Sequence, residues 1–297
     1  MERNLVKHGD STLMVSVPAA WVKRHKLKKG DAISISDQGE TLLLSRQGWK
    51  KTELTGEITF TENNYDVIRA ILCKHYRQGY DMLVVNYHDD NIFPTIHKIT
   101  ASIFGYEITD NKKGSCTIKN IVKEFDFDTK TAFKKIIADI DHAFTLVKET
   151  LAGKREVNMD EITLLRDEGW KFKDVAFQML KKDTLGDSFK ENYIIHISEQ
   201  NTTYLRWLLR AYQSQSKKTV SKEFTGLLEK THTFFIESLI YQKKNDVDYV
   251  KYVLSERRKL QEACEAIAQK GGLEAKLVIY IAMIVQNIHN PKSVIVA

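Results

Sequence analysis

Val17-Pro18 is the step that most limits what this chain can fold into. Before it, Leu13, Val15 and Val17 alternate with Met14 and Ser16, the two-residue period of a half-buried strand. Proline has no N–H to give to a ladder, so pairing stops there, while the first position of a helix accepts it. The helix that follows is short, about two turns. Trp21, Val22 and His25 lie on one side of it; Lys23 and Arg24 lie on the other, and Lys26, Lys28 and Lys29 come next. Gly30 is expected to supply the left-handed backbone that ends the helix. Ala32 to Ser36, a turn at Asp37-Gln38-Gly39-Glu40, and Thr41 to Ser45 read as a hairpin. A module this short buries too little apolar surface to stand alone, and its strands leave unpaired edges.

Charge sharpens this reading. Residues 1–51 hold ten Lys and Arg against five Asp and Glu, so five of the chain's six net positive charges sit on the first module. A basic patch on a small module is the electrostatic footprint of a polyanion partner. Cys73, Cys116 and Cys264 are far apart and odd in number, which fits buried, reduced thiols and no metal spacing. The start, Met1-Glu2-Arg3-Asn4, lacks the apolar core of a signal peptide. The longest unbroken apolar run, Leu277 to Val285, falls well short of the ~20 residues a membrane helix needs. A cytoplasmic protein without membrane insertion is expected.

Arg3 to Arg46 resembles the AbrB/SpoVT family of swapped-hairpin DNA-binding domains. The words that carry the resemblance are GDSTLMVSVPAAWVKRHKLKKGD and GETLLLSR. It implies that two copies interleave their hairpins into one β-barrel, which removes both deficits of the lone module. An obligate homodimer through residues 3–46 is therefore expected, with two basic patches on one face for two half-sites on double-stranded DNA. Arg3, Lys7, Lys23, Arg24 and Lys26 are the candidates to meet DNA phosphates. Arg3 and Lys7 match basic positions that the family uses on its first strand. The Ser-Thr and Pro-x-x-Trp details resemble the archaeal-type branch that carries PhoU-like helices behind the hairpin domain.

Residues 52–122 form an α+β region. Gly56 to Phe60 alternates as a strand, Tyr65 to Tyr76 carries apolar residues at helix spacing, and Met82 to Tyr87 is apolar enough for a central strand. Phe93 to Phe104 is a second helix with Pro94 in its first turn. Tyr106 to Thr109 and Cys116 to Ile121 are short strands. The words AILCKHYRQGYDMLVVNY and ASIFGYEITD resemble the ferredoxin-like middle region of the same PhoU-linked family. Lys74, His75 and Arg77 read as a solvated helix end.

Residues 123–297 read as helical. Phe133, Ile136, Ile137, Ile140, Phe144, Val147 and Leu151 step by three and four, the seam of a helix bundle. Further helices are expected over Asp160 to Lys182, Asp187 to Gln213, Lys222 to Gln242, Asp246 to Gln269 and Leu273 to Asn290, with Gly271-Gly272 as a sharp turn. Three helices, a polar loop and three helices point to a duplicated three-helix unit. This is similar to the PhoU family, whose fold is two such bundles. Trp170, Trp207 and Phe234-Phe235 are expected in the core.

PhoU-like proteins carry acidic pairs four apart on their helices, a spacing that places two carboxylates on one face for a hard metal ion. The third helix here reads Ile194-Ile195-His196-Ile197-Ser198-Glu199-Gln200-Asn201-Thr202, and the sixth reads Ile284-Val285-Gln286-Asn287-Ile288-His289; neither has the pair. Asp187 and Glu191 have the spacing but open their helix, where acids serve the dipole. Asp139 and His142 share a face but are two ligands alone. No cofactor and no metal are expected. With no Walker loop, no nucleophile elbow and no His-Glu-x-x-His, a non-enzymatic protein is expected. The reading is a homodimeric DNA-binding transcriptional regulator of the phosphate-uptake type, its helical domain receiving a signal or a partner. The alternative is a protein-binding modulator of a phosphate transporter or sensor kinase, in which the first module only dimerises. An antitoxin-like role is a third and lesser reading, since such proteins are short with a disordered tail.

Overall fold

The structure, a computed structural model, describes residues 3–9, 12–37, 42–46, 53–122, 125–182, 188–216, 219–241 and 247–288. The chain divides into two compact units, residues 1–53 and 54–297. It is α+β, with small sheets towards the amino terminus and helices towards the carboxyl terminus.

In the first unit, β1 (Val6–His8) pairs antiparallel with β2 (Thr12–Met14), Lys7 facing Leu13. Strand β2 is shorter than the alternation to Val17 predicts, because its partner supplies only three residues. The helix α1 (Ala19–Arg24) follows, and β3 (Ile33–Asp37) pairs antiparallel with β4 (Leu42–Arg46). The expected turn residues Gln38, Gly39 and Glu40 lie outside the described residues, as does Ser11. The two ribbons are separate two-stranded sheets, and no closed barrel forms within the chain among the described residues. No side chain described in this unit is buried. Leu5, Leu13, Ile35 and Leu42 are 63%, 61%, 60% and 64% exposed.

The second unit begins with β5 (Thr55–Phe60), α2 (Tyr65–Arg77), β6 (Met82–Tyr87), α3 (Phe93–Thr100), β7 (Tyr106–Lys112) and β8 (Ser115–Asn120). Asn64 caps α2 by accepting from the N–H groups of Asp66 and Val67. The sheet order is β5-β6-β8-β7, with β5 and β6 parallel and the other pairs antiparallel. This corrects the ferredoxin-like expectation. That fold splits its parallel strands around a third, whereas here α2 returns the chain directly beside β5. The hairpin at Lys113-Gly114, where Gly114 has φ 76°, then adds β8 to the far edge of β6. Leu83, Val85 and Tyr87 alternate inward against Ile68, Leu72, Ile96 and Ile99.

Helices α4 (Thr129–Leu151), α5 (Met159–Lys182), α6 (Ser188–Gln213), α7 (Lys222–Tyr241), α8 (Val247–Gln269) and α9 (Gly272–Asn287) complete the unit. Helices α4, α5 and α6 pack on one another, as do α7, α8 and α9. The two sets join where α4 meets α7 and α6 meets α9, so like-numbered members of each set touch across the join. The expected α4 seam is in place, with Ile136, Ile140, Phe144, Val147 and Leu151 buried. Helix α5 also reaches the sheet: Val175 and Met179 pack into its core, and Gln178 Nε2 donates to the Tyr76 carbonyl at 3.2 Å.

Three side chains depart from their expected places. Phe234 and Phe235 are buried, but Trp207 is 39% exposed and Trp170 only half-buried. Arg77 is not a solvated end, since its Nε lies 3.7 Å from Oδ1 of the buried Asp174. All three cysteines are buried and free. Burial pushes their thiols up, to about 12 at Cys73, where Asp174 adds to it, and to about 11 at Cys116 and Cys264. Among the described residues no helix is long and apolar enough to cross a membrane.

Candidate nucleic-acid interface

The geometry of α1 sets the positions of the basic side chains. Pro18 sits one place earlier than expected: it is the N-cap, with φ −58° and ψ 128°, and its carbonyl accepts from the N–H groups of Trp21 and Val22 at 2.9 and 3.1 Å. Trp21 and His25, one turn apart, bring their rings to 4.9 Å. Lys23 and Arg24 fill the last turn, where cations complement the negative end of the helix dipole.

The helix does not end at Gly30. It ends at Arg24 with His25 as C-cap, and the left-handed place after the cap falls to Lys26, whose φ of 55° makes it the one non-glycine residue with positive φ among those described. The Lys26 N–H donates to the Lys23 carbonyl at 3.2 Å and the Leu27 N–H to the Val22 carbonyl at 3.0 Å. This is the Schellman arrangement, with lysine in the place that glycine normally takes. Gly30, at φ 95°, serves the next turn instead. There the Lys28 N–H donates to Asp31 Oδ2 at 2.7 Å and the Asp31 N–H returns to the Lys28 carbonyl at 3.1 Å. The Asp31 carboxylate is thus engaged by backbone.

Lys23, Arg24 and Lys26 are therefore gathered at one helix end, exposed, with Lys28 and Lys29 directly after. Arg3 precedes β1 and Lys7 lies within it, both exposed on the other ribbon. Among the described residues, none of Arg3, Lys7, Lys23, Arg24 and Lys26 forms an ion pair. Lys28 and Lys29, outside the expected set, share this setting; the run Lys26 to Lys29 was the signal for them.

The second unit offers no such surface at the expected acidic motifs. Asp139 Oδ1 takes the Lys135 ammonium at 2.6 Å, and His142 Nε2 pairs with Glu161 Oε1 at 3.2 Å. The two thus serve different partners. Burial raises the Asp139 carboxyl above its ordinary range and outweighs the Lys135 contact, which lowers it. Where α6 meets α9, Asn287 Nδ2 donates to Gln200 Oε1 at 3.2 Å, so amides meet where the resemblance implied acidic pairs. Asp187 lies outside the described residues, as do the side chains of Glu191 and Glu199. Among the described residues no three His, Cys, Asp or Glu side chains gather as metal ligands. Comparison with protein-family models, with curated proteins and with solved structures finds no match.

Proposed function

We propose that the chain is a DNA-binding regulator, of the phosphate-uptake type that it resembles, acting by binding rather than by catalysis. The observation that carries this reading is a set of exposed cations that pair with no carboxylate among the described residues, on a module in which none of the described side chains is buried. Two copies joined through residues 1–51 supply an interior, close the hairpin edges and set two cationic helix ends side by side. Lys26 adds to it. An L-residue in the left-handed region is disfavoured by roughly 1–2 kcal/mol, and a lysine with its ammonium stands there in place of the easier glycine. In this reading the helical unit receives the signal.

Binding to duplex DNA at two salt concentrations tests it. Neutralising phosphates releases counterions, with a slope of about 0.9 per contact. Lys23→Ala with Arg24→Ala removes four contacts from a dimer, and the slope is expected to fall by about three to four. An unchanged affinity and slope would overturn the assignment of the surface. The alternative, in which the first module only dimerises and the helical unit binds a protein, draws on Trp207, Ile279 and Met283, which stand exposed on α6 and α9. Absence of DNA binding at low salt, with capture of a transporter ATPase, would favour it.

A further inference from the structure

The junction of α2, α5 and α6 gathers arginines that the DNA reading does not use. Arg69 of α2 places its Cζ 4.6 Å from the centroid of the Trp170 ring, and Arg166 of α5 places its own at 4.5 Å. Arg166 is only 17% exposed in its side chain and is held by Asp167 Oδ1, at 2.9 Å from Nε and 2.6 Å from the terminal nitrogen. From α6, Arg206 directs its Nε to Thr163 Oγ1 at 2.8 Å. That hydroxyl is itself fixed, since it donates to the Met159 carbonyl at 2.6 Å. Arg210, one turn further along α6, is exposed. Arg69 and Arg206 are half-buried.

The charge balance of this junction is incomplete. A half-buried guanidinium ordinarily stands beside a carboxylate. Arg206 has none among the described residues, and neither has Arg210. Burial lowers the Arg206 pKa first, and repulsion from Arg166 and Arg210 lowers it further; Asp167, already engaged with Arg166, is the group that offsets this. Asp167 takes Nε and one terminal nitrogen of Arg166, Ser102 Oγ accepts from one terminal nitrogen of Arg69 at 3.0 Å, and Thr163 takes Arg206 Nε, so these three guanidiniums are oriented and a ligand meets their remaining N–H groups. Several cationic N–H groups left over in one place match an oxyanion with several acceptor oxygens and more than one charge, which is the chemistry of a phosphoryl group. A single carboxylate would occupy one guanidinium.

We infer that Arg166, Arg206 and Arg210, beside Trp170 and Thr163, form a binding site for a phosphoryl-bearing anion on the helical unit. The site goes beyond the regulator reading and does not depend on it. Its ligand is a free phosphate compound or a lipid headgroup, which share this chemistry.

The test uses the full chain at constant ionic strength held with sodium chloride. Inorganic phosphate, pyrophosphate and ATP are each titrated while the unfolding temperature and the affinity are followed. At least one is expected to raise the unfolding temperature, and Arg206→Gln is expected to weaken that affinity by at least about tenfold, the loss of a charge-assisted hydrogen bond. Without anion, Arg206→Gln is expected to unfold at the same or a higher temperature, because it relieves repulsion. A merely structural arginine gives the opposite pattern, with a less stable variant and an unaltered anion effect. Lys23→Ala with Arg24→Ala is expected to keep the full anion effect, which separates this site from the DNA surface. In a parallel arm, sedimentation with phosphatidylglycerol vesicles against phosphatidylcholine vesicles identifies the source. Loss in Arg206→Gln of binding to the free anion supports a small ligand, and loss of binding to the charged vesicles supports a headgroup. If no anion and no charged vesicle binds, or if Arg206→Gln binds as the parent does, the site is overturned.

Discussion

On the proposed DNA-binding reading, Lys26 is a residue at which stability and binding oppose each other. Its φ of 55° is strained for any side chain with a Cβ, and nothing in the helix cap uses its ammonium. Lys26→Gly is expected to stabilise the first unit by roughly 0.5–1 kcal/mol, the left-handed penalty less the extra entropy that glycine loses. The same substitution is expected to lower the DNA salt slope by about two per dimer. Lys26→Ala removes the charge but keeps the strain, so it loses the same slope without the gain in stability. Thermal unfolding and DNA titration of the pair check this; equal unfolding temperatures for the two variants would mean that the backbone is not strained there. Sequence points to Gly30 for the left-handed position because glycine is the usual choice there, whereas the structure gives that place to Lys26. Trp170 departs from its expected core place for a related reason. An aromatic at helical spacing reads as core, but Arg166 one turn before it is a local sign of cation stacking. Arg69 comes from α2 through tertiary contact, which no local pattern reports.

At the scale of elements, periodicity located nearly every helix and strand of the second unit to within a few residues. What it did not yield is which strands are neighbours. The chain order strand, helix, strand, helix, strand, strand itself differs from the ferredoxin-like order, so the element list already points away from that fold. The join of α4 to α7 carries a titration that sequence does not display. His232 stacks on Phe144 at 4.5 Å, its Nε2 faces Asp141 Oδ1 at 2.7 Å, and its Nδ1 faces the Lys148 ammonium at 3.0 Å. Lys148 in turn pairs with Glu229 at 2.9 Å. The neutral imidazole therefore accepts from Lys148 and donates to Asp141. Burial, then Lys148, holds its pKa below the ordinary value. The unfolded chain then takes up the proton first, near pH 6.5. The contribution is full above that pH and is lost as pH falls through the lower folded value. Asp139 and Asp174 are raised instead and titrate in the opposite sense, so the comparison needs a variant. Urea unfolding between pH 5 and 8 is expected to show a midpoint that falls on acidification, and His232→Gln is expected to flatten that fall. An unchanged slope in the variant would place the acid sensitivity elsewhere.

The whole molecule joins two units of unlike self-sufficiency. The second unit encloses two apolar cores, one at the sheet and one in the bundle, and α5 contributes to both, Val175 to the first and Ile162, Leu165, Ala176 and Leu180 to the second. Residues 1–53 expose Leu5, Val6, Leu13, Met14, Val15, Ile35 and Leu42, enough apolar surface that a partner's burial of it is the main available source of stability. The chain is expected to be dimeric through this module even when dilute. Leu13→Asp sets a carboxylate at the centre of that surface, on the same ribbon as Lys7, and is expected to yield monomers by sedimentation. DNA affinity is then expected to drop by about a hundredfold or more, because the second cationic patch no longer acts at high effective concentration. Helix content should stay unchanged, since the second unit keeps its own core. Lys7→Ala serves as the control that removes one charge on the ribbon but leaves the dimer. If Leu13→Asp remains dimeric and binds DNA as the parent does, the exposed face of the first unit is not where two copies meet. A monomer with full DNA affinity would break the link between pairing and binding, and with it the reason for placing a module with no buried side chain among those described in front of a unit that folds by itself.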